Sequence, residues 1–189
     1  RVDRRQRQMC IRDRIYTVDN IPKVHLQNKL RYVCNPADIL SQAACDSIDR
    51  MLYNLEEKTG IETVVAVVPS IGQEDCFDFA HQLLNQWGVG KKGKNNGLVI
   101  LLVTDQRCIQ FYTGYGLEGD LPDAICKRIQ TKNMIPFLKT GNWDAGMVSG
   151  IRAVCQRLDG SMVNDAVNDE EDISWSMILL AVVGFMGVA

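Results

Sequence analysis

The chain has 189 residues, 46% hydrophobic and 23% charged, with 5 Pro and 15 Gly. That is the composition of one ordinary globular domain able to bury a core without metal or disulfide staples; it excludes wholesale disorder, collagen-like repeats and a multi-pass membrane protein. The formal net charge of −2 hides a division: residues 1–14 carry +4, residues 15–158 carry 0, residues 159–172 carry −6, and residues 173–189 carry no charge. The neutral middle offers no basic face to nucleic acid.

The opening RVDRRQRQMCIRDR has no apolar core of the kind a secretory signal needs. A basic arm for nucleic acid or anionic lipid is one reading of it. The tract MCIRDR resembles translated sequencing-adapter sequence, so residues 1–14 are expected to be a non-native lead with the true N-terminus missing. Residues 15–40 read as a largely extended lead-in ending at the turn-like Asn35-Pro36. Ser41 is a good N-cap for a helix to about Thr59, with Ile48, Met51, Leu52 and Leu55 on one face and Gly60 as its stop.

Glu62–Val68 is a β-branched apolar run with little alternation, the pattern of a central strand buried on both faces. Cys76, Ala80, Leu83, Leu84 and Trp87 form the inner stripe of the next helix, and Gly97–Val103 is a second buried strand. Strand, helix and strand make a βαβ unit with parallel strands. Cys108–Thr113 then reads as an antiparallel edge strand. Two helices follow, over about 121–133 (Leu121, Ile125 and Ile129 inward) and about 143–158 (Met147, Ile151, Val154, Cys155 and Leu158 inward). The order predicts a three-layer α/β/α sandwich over a small mixed sheet. Residues 15–158 are the domain and residues 159–172 an acidic linker. The 17 uncharged residues 173–189 span about 26 Å as a helix, slightly under the ~30 Å of a hydrocarbon core. They are expected to be a truncated transmembrane helix with Trp175 at the interface. Tethering to a membrane is the first partner expected.

Two nucleotide motifs nearly fit. Gly88-x4-Gly93-Lys94-Asn95 lacks the final Ser/Thr of a P-loop and joins a helix to a strand, the reverse of what phosphate binding needs. Its plain reading is a helix C-cap and polar loop. Gly114-x-Gly116-x-x-Gly119 has the letters of a dinucleotide fingerprint, yet no strand completes the unit and Lys139 stands where an acid belongs. These glycines are read as permitting a tight turn, and no nucleotide cofactor is expected.

His25 and His81 have no neighbouring ligand pattern, and seven Cys include no CxxC. Cys76 and Cys155 read as small core residues. Cys34 and Cys45 are, on proximity, the disulfide pair to expect in an oxidising compartment. No catalytic Ser-His-Asp or Cys-His set can be assembled. What remains is Glu118, Asp120 and Asp123, three carboxylates within six residues where a strand end meets a helix start. Such oxygen clusters suit Ca²⁺ or Mg²⁺. The competing structural reading is Asp120 as N-cap, Pro122 in the first turn and Asp123 at N3, both acids favoured by the helix dipole. That reading leaves Glu118 and the glycines unexplained.

Several stretches together resemble the TPM domain family over about residues 15–158. They are Leu55-Glu56, Thr59-Gly60, Trp87–Gly90, Asn96–Val103, Gly114–Glu118, Leu121–Asp123, Pro136-Phe137, Gly141–Trp143 and Gly146. The GYGLE stretch is the most specific. The family groups thylakoid-lumen acid phosphatases, a photosystem II repair factor and a nematode receptor modulator with many bacterial envelope proteins. Its bacterial members look like signal peptide, domain, then transmembrane helix. The resemblance implies a Rossmann-like sandwich and, through plant members, phosphatase activity and calcium. Carried over by position, the implied cleft residues are Glu118 and Asp123, with Asn96 and Arg107 nearby. Asn96 stands where many members have an acid, which lowers the cation affinity to expect. The expected function is a membrane-anchored, extracytoplasmic binding or assembly module, partnered by an envelope protein complex and carrying a weak divalent-cation site at Glu118, Asp123, Asp120 and Asn96. A metal-assisted acid phosphatase acting on phosphate monoesters is the alternative.

Overall fold

The computed structural model describes residues 14–91 and 93–161. The β-branched runs form strands as their pattern predicts. Glu62–Val68 (β2) and Gly97–Val103 (β3) pair in parallel from Glu62 opposite Gly97 to Val68 opposite Val103. Cys108–Thr113 (β4) pairs antiparallel to β3 at the sheet edge. β3 is buried at every position, as a strand covered on both faces must be. The lead-in is more structured than its composition indicates. It contains a short helix, Val24–Gln27 (α1), and a two-residue strand, Val33–Cys34 (β1), parallel to β2 at the other edge. A strand that short has no periodicity to read.

The helices form two outer layers. Gln42–Thr59 (α2) starts at Ser41, whose hydroxyl accepts from the Ala44 N–H, and stops at left-handed Gly60. Cys76–Trp87 (α3) is capped by Asp75 and closed by left-handed Gly88, so the near-P-loop is a helix C-cap. The predicted helix at 121–133 begins later, as Asp123–Ile129 (α4), and runs on through a π-helical turn, Gln130–Met134, into Ile135–Leu138 (α5). The widened turn directly precedes Pro136, whose missing N–H already interrupts the helical ladder. Trp143–Leu158 (α6) is capped by Asn142, whose side chain accepts from Ala145 N–H.

Strand alternation sends Val65, Val67, Leu98, Ile100 and Leu102 to the face covered by α2, α4 and α6. Val64, Ala66, Val68, Val99, Leu101 and Val103 face α3, whose buried stripe is Cys76, Phe79, Ala80, Leu83 and Trp87, and the lead-in residues Tyr16, Val18 and Ile21. Helices on both faces of a four-stranded mixed sheet make the α/β sandwich. The strand order is sequential, β1-β2-β3-β4. Both crossovers step the same way across the sheet, yet α2 and α3 lie on opposite faces, so the two connections have opposite hands. The order therefore lacks the reversal that creates a ligand crevice in doubly wound sheets. No helix among the described residues is long and apolar enough to cross a membrane. The expected basic lead before residue 14, the linker beyond residue 161 and the expected span at 173–189 lie outside the described residues.

Candidate functional site

The amino-terminal end of β3 is where the predicted site residues are best judged. The chain leaves β4 at Thr113 and returns over the Asn95-Asn96 loop as a 3₁₀ turn, Tyr115–Leu117. Gly114 N–H donates to Gly97 O at 2.8 Å, and Gly116 N–H to Asn95 O at 3.0 Å. The turn is pinned beneath by Leu117, which is 2% exposed and whose carbonyl accepts from Leu121 N–H at 2.7 Å. A Cβ on Gly114 would run into the Asn95 carbonyl oxygen, and one on Gly116 into that of Lys94. Neither glycine has a positive φ. They are needed for close approach of two backbones rather than for an unusual turn conformation, which corrects the sequence reading. Asn95, at φ 48°, takes the left-handed position of this pair of loops.

Glu118, Asp120 and Asp123 are all exposed on or just beyond this turn. Asp120 is not the N-cap. Pro122 occupies that position with no side-chain cap, and Asp123 is the first residue of α4, so only the favourable dipole survives of the capping reading. Asp120 is held instead through its backbone carbonyl, which accepts from Arg157 Nε at 2.9 Å. Asn96 is 8% exposed and its amide is engaged at both ends: Nδ2 donates to Gly60 O at 2.7 Å and Oδ1 accepts from Lys91 N–H at 2.9 Å. It braces the loop. Arg107 lies away from this cluster. It follows Val103 at the far end of β3, a seven-residue strand, or roughly 20 Å from Asn96. Among the described residues, no three His, Cys, Asp or Glu side chains converge as a metal-holding group. The donor set is thus a row of surface carboxylates rather than a chelating cage. Tyr115, at the apex, is 79% exposed on a turn held by these backbone hydrogen bonds.

The cysteine reading needs correction. Cys34 and Cys45 are both free, and their side chains lie on opposite faces of the sheet, Cys34 under α3 and Cys45 within α2. Burial raises both thiols above their usual pKa, Cys34 to about 12. The Cys76 thiol donates to Gln106 Oε1 at 3.1 Å. His25 and His81 each rest against a tyrosine, Tyr32 and Tyr112, rather than a ligand set.

Sequence reasoning missed Asp49. It is 7% exposed, and its Oδ1 accepts from Tyr32 N–H at 2.8 Å and Val33 N–H at 3.0 Å, holding the edge strand β1 to α2. Desolvation raises its pKa, against those two hydrogen bonds and Arg31. The signal was present: Asp49 lies four residues after Cys45 and three before Leu52, on the buried stripe.

Comparison with known proteins gives the family and the fold. The family model for the TPM domain matches residues 33–157. Two chloroplastic UPF0603 proteins of rice, from Oryza sativa subsp. indica and subsp. japonica, are each 22% identical over 130 residues, covering 68% of this chain and 44% of theirs. The chain therefore spans less than half the length of these curated relatives. The solution structure of the N-terminal domain of a P. gingivalis protein superposes with a TM-score of 0.74 at 42% identity, covering 78% of this chain and 94% of that one. The BA42 protein of Bizionia argentinensis shares the fold at a TM-score of 0.55 and 20% identity, over 64% of this chain and 82% of that one. From the glycine-pinned turn to the family match, sequence and structure agree: the chain belongs to the TPM domain family.

Proposed function

We propose that this TPM domain is a binding or assembly module of the cell envelope, held outside the cytoplasm by residues 173–189. Its recognition surface is the turn 114–123, with Tyr115 as its aromatic anchor. The observation that supports this reading is the contrast within the turn. The backbone is immobilised by Gly114, Gly116 and Leu117, while Tyr115, Glu118, Asp120 and Asp123 are presented to solvent. A rigid turn loses little entropy when a partner docks, and an exposed tyrosine is a common binding anchor. The acidic, base-free segment 159–172 beside the apolar 173–189 accords with an extracytoplasmic domain, since retained loops carry Lys and Arg.

Ca²⁺ or Mg²⁺ would associate weakly here, through Glu118, Asp120 and Asp123 with water completing the shell, and Asn96 acting on the loop. The rival reading, hydrolysis of phosphate monoesters, asks the site to fix an ion with several ligands and to supply a base. Those requirements are met poorly by carboxylates that do not converge. A Ca²⁺ titration monitored by NMR tests the proposal. Amide shifts confined to residues 115–123, half-saturating in the millimolar range and lost in Glu118→Gln, are expected. Tight stoichiometric binding, or shifts elsewhere, would count against it.

A further inference from the structure

The outer edge of β4 is open. Among the described residues β4 pairs with β3 on one side, and no strand pairs with its other side. The bond from Gly114 N–H to Gly97 O sets the phase of the ladder, since bonded pairs alternate along an antiparallel strand. Cys108, Gln110 and Tyr112 therefore turn their backbone groups to β3, and Ile109, Phe111 and Thr113 turn theirs outward. Gln110 Nε2 donates to Phe111 O at 2.8 Å, which agrees with that phase and leaves the carbonyl a second lone pair. Exposed edges are ordinarily blunted by charge, proline or a bulge. Cys108–Thr113 has none of these: it is uncharged, contains no proline and keeps an unbroken register with β3.

α3 supplies the second half of this surface. It lies over both β3 and β4. Phe77 and His81, one turn apart on its flank, both reach Tyr112 of β4, with ring centroids 5.2 and 5.0 Å away. Neither belongs to the buried stripe of α3, and both are exposed, Phe77 at 52%. They stand along the open edge. Strands lie ~4.8 Å apart, so a twofold axis between β4 and an added strand would run about half a spacing beyond β4, while α3 sits about half a spacing inside it. A second copy related by that axis brings its own α3 to about 10 Å, the distance at which helices pack.

We propose that this edge is the interface between two copies of the chain. β4 pairs antiparallel with β4 of the second copy about a twofold axis at Phe111, so that Phe111 faces Phe111 and Ile109 faces Thr113. Each outward N–H then meets an outward C=O, and the two four-stranded sheets become one of eight strands. The axis passes beside Tyr112, so Phe77 and His81 of each copy cover those of the other. Self-complementarity selects the occupant, because an isologous contact needs one surface that fits itself. The uncharged strand meets no like charge along the pairing, and the position of α3 suits a second α3. A foreign strand would satisfy the backbone and leave Phe77 uncovered. The interface is separate from the turn 114–123, which folds back over the Asn95-Asn96 loop, and does not depend on the reading given for it.

Amide hydrogen exchange of the full chain, read residue by residue by NMR at two concentrations, tests the proposal. The N–H groups of Ile109, Phe111 and Thr113 have no partner among the described residues of one copy and gain one in the pair. Those of Gln110 and Tyr112 are bonded to β3 in both states. With a dissociation constant on the order of 100 µM, as suits a small interface, the first three should exchange about fourfold more slowly at about 1 mM chain than at about 20 µM. Gln110 and Tyr112 should not change. Thr113→Pro removes an outward donor that the ladder with β3 does not use, a change that edge strands tolerate. It should abolish the slowing at Ile109 and Phe111. Should that variant fail to fold, Phe77→Glu sets like charges across the axis at an exposed position, and should weaken pairing about tenfold at an unchanged melting temperature. Equal exchange at both concentrations would overturn the proposal, whether the three amides are fast, as on an edge kept for another protein, or slow, as on one covered by the chain itself. So would association without the alternation, as through residues 173–189, or slowing that survives both variants.

Discussion

At the amino-terminal end of β3 the closure is backbone packed on backbone; at the carboxy-terminal end a side-chain amide joins the loops that follow β2 and β3. The first is the meeting of Gly97, Gly114 and Gly116 with the carbonyls of Val89, Asn95 and Lys94. The second is Gln106, whose Nε2 donates to Gly72 O and Glu74 O, both at 3.1 Å, and whose Oε1 accepts from the Cys76 thiol at 3.1 Å. Open α/β sheets usually bind ligands beyond the carboxyl ends of their parallel strands. Here that end is filled by its own loops, and the exposed aromatic and acids stand at the other. The difference teaches that the fold-level rule and the local backbone direct attention to opposite ends of the sheet.

Breaking the backbone closure should cost most. Gly116→Val is expected to destabilise the domain by about 3 kcal/mol, because the obstacle is a carbonyl that cannot rotate aside. A denaturant melt checks it, and a loss under about 1 kcal/mol would mean the two loops part easily. Asp49→Ala should follow at about 2 kcal/mol, since it leaves the Tyr32 and Val33 amides without their acceptor. Asp49 also sets a pH dependence. Its folded pKa is raised, so the stability linked to its protonated form is lost as pH rises above the ordinary value of 3.8 through the folded value. Asp49→Asn should flatten that part of the stability profile, and an unchanged slope would assign it to other groups.

The side-chain closure is weaker. Gln106→Ala should cost about 1 kcal/mol, because its bonds are exposed and water replaces them. A cost matching Gly116→Val would erase the distinction between the two ends. Smallest of all is Tyr115→Ala, expected within about 0.5 kcal/mol of the parent, as a side chain 79% exposed contributes little to the fold. A large loss there would make Tyr115 a structural residue.

Much of the fold was legible in residue pattern. The apolar runs gave β2 and β3, Ser41 and Gly60 bounded α2, and Gly88 separated a helix C-cap from a phosphate loop. What escaped detection was held by long-range contact. β1 is two residues fixed by Asp49 from 16 residues away, and the π turn Gln130–Met134 packs against α6. At the candidate site the letters GYGLE fall on the turn 114–118, where the glycines serve close backbone approach rather than an unusual turn conformation, and Arg107 stands a whole strand from the residues that the resemblance groups it with. Linear proximity was no better guide for Cys34 and Cys45, because β1 directs Cys34 to the face opposite α2.

The most direct test of the central claim is turnover of p-nitrophenyl phosphate by the full chain, with Ca²⁺ or Mg²⁺, beside Glu118→Gln. The variant keeps the shape of Glu118 and removes its charge. The account predicts no turnover above the uncatalysed rate in either protein and equal melting temperatures without metal. Robust turnover in the parent, abolished in Glu118→Gln with melting unchanged, would contradict it and make the turn 114–123 an active site.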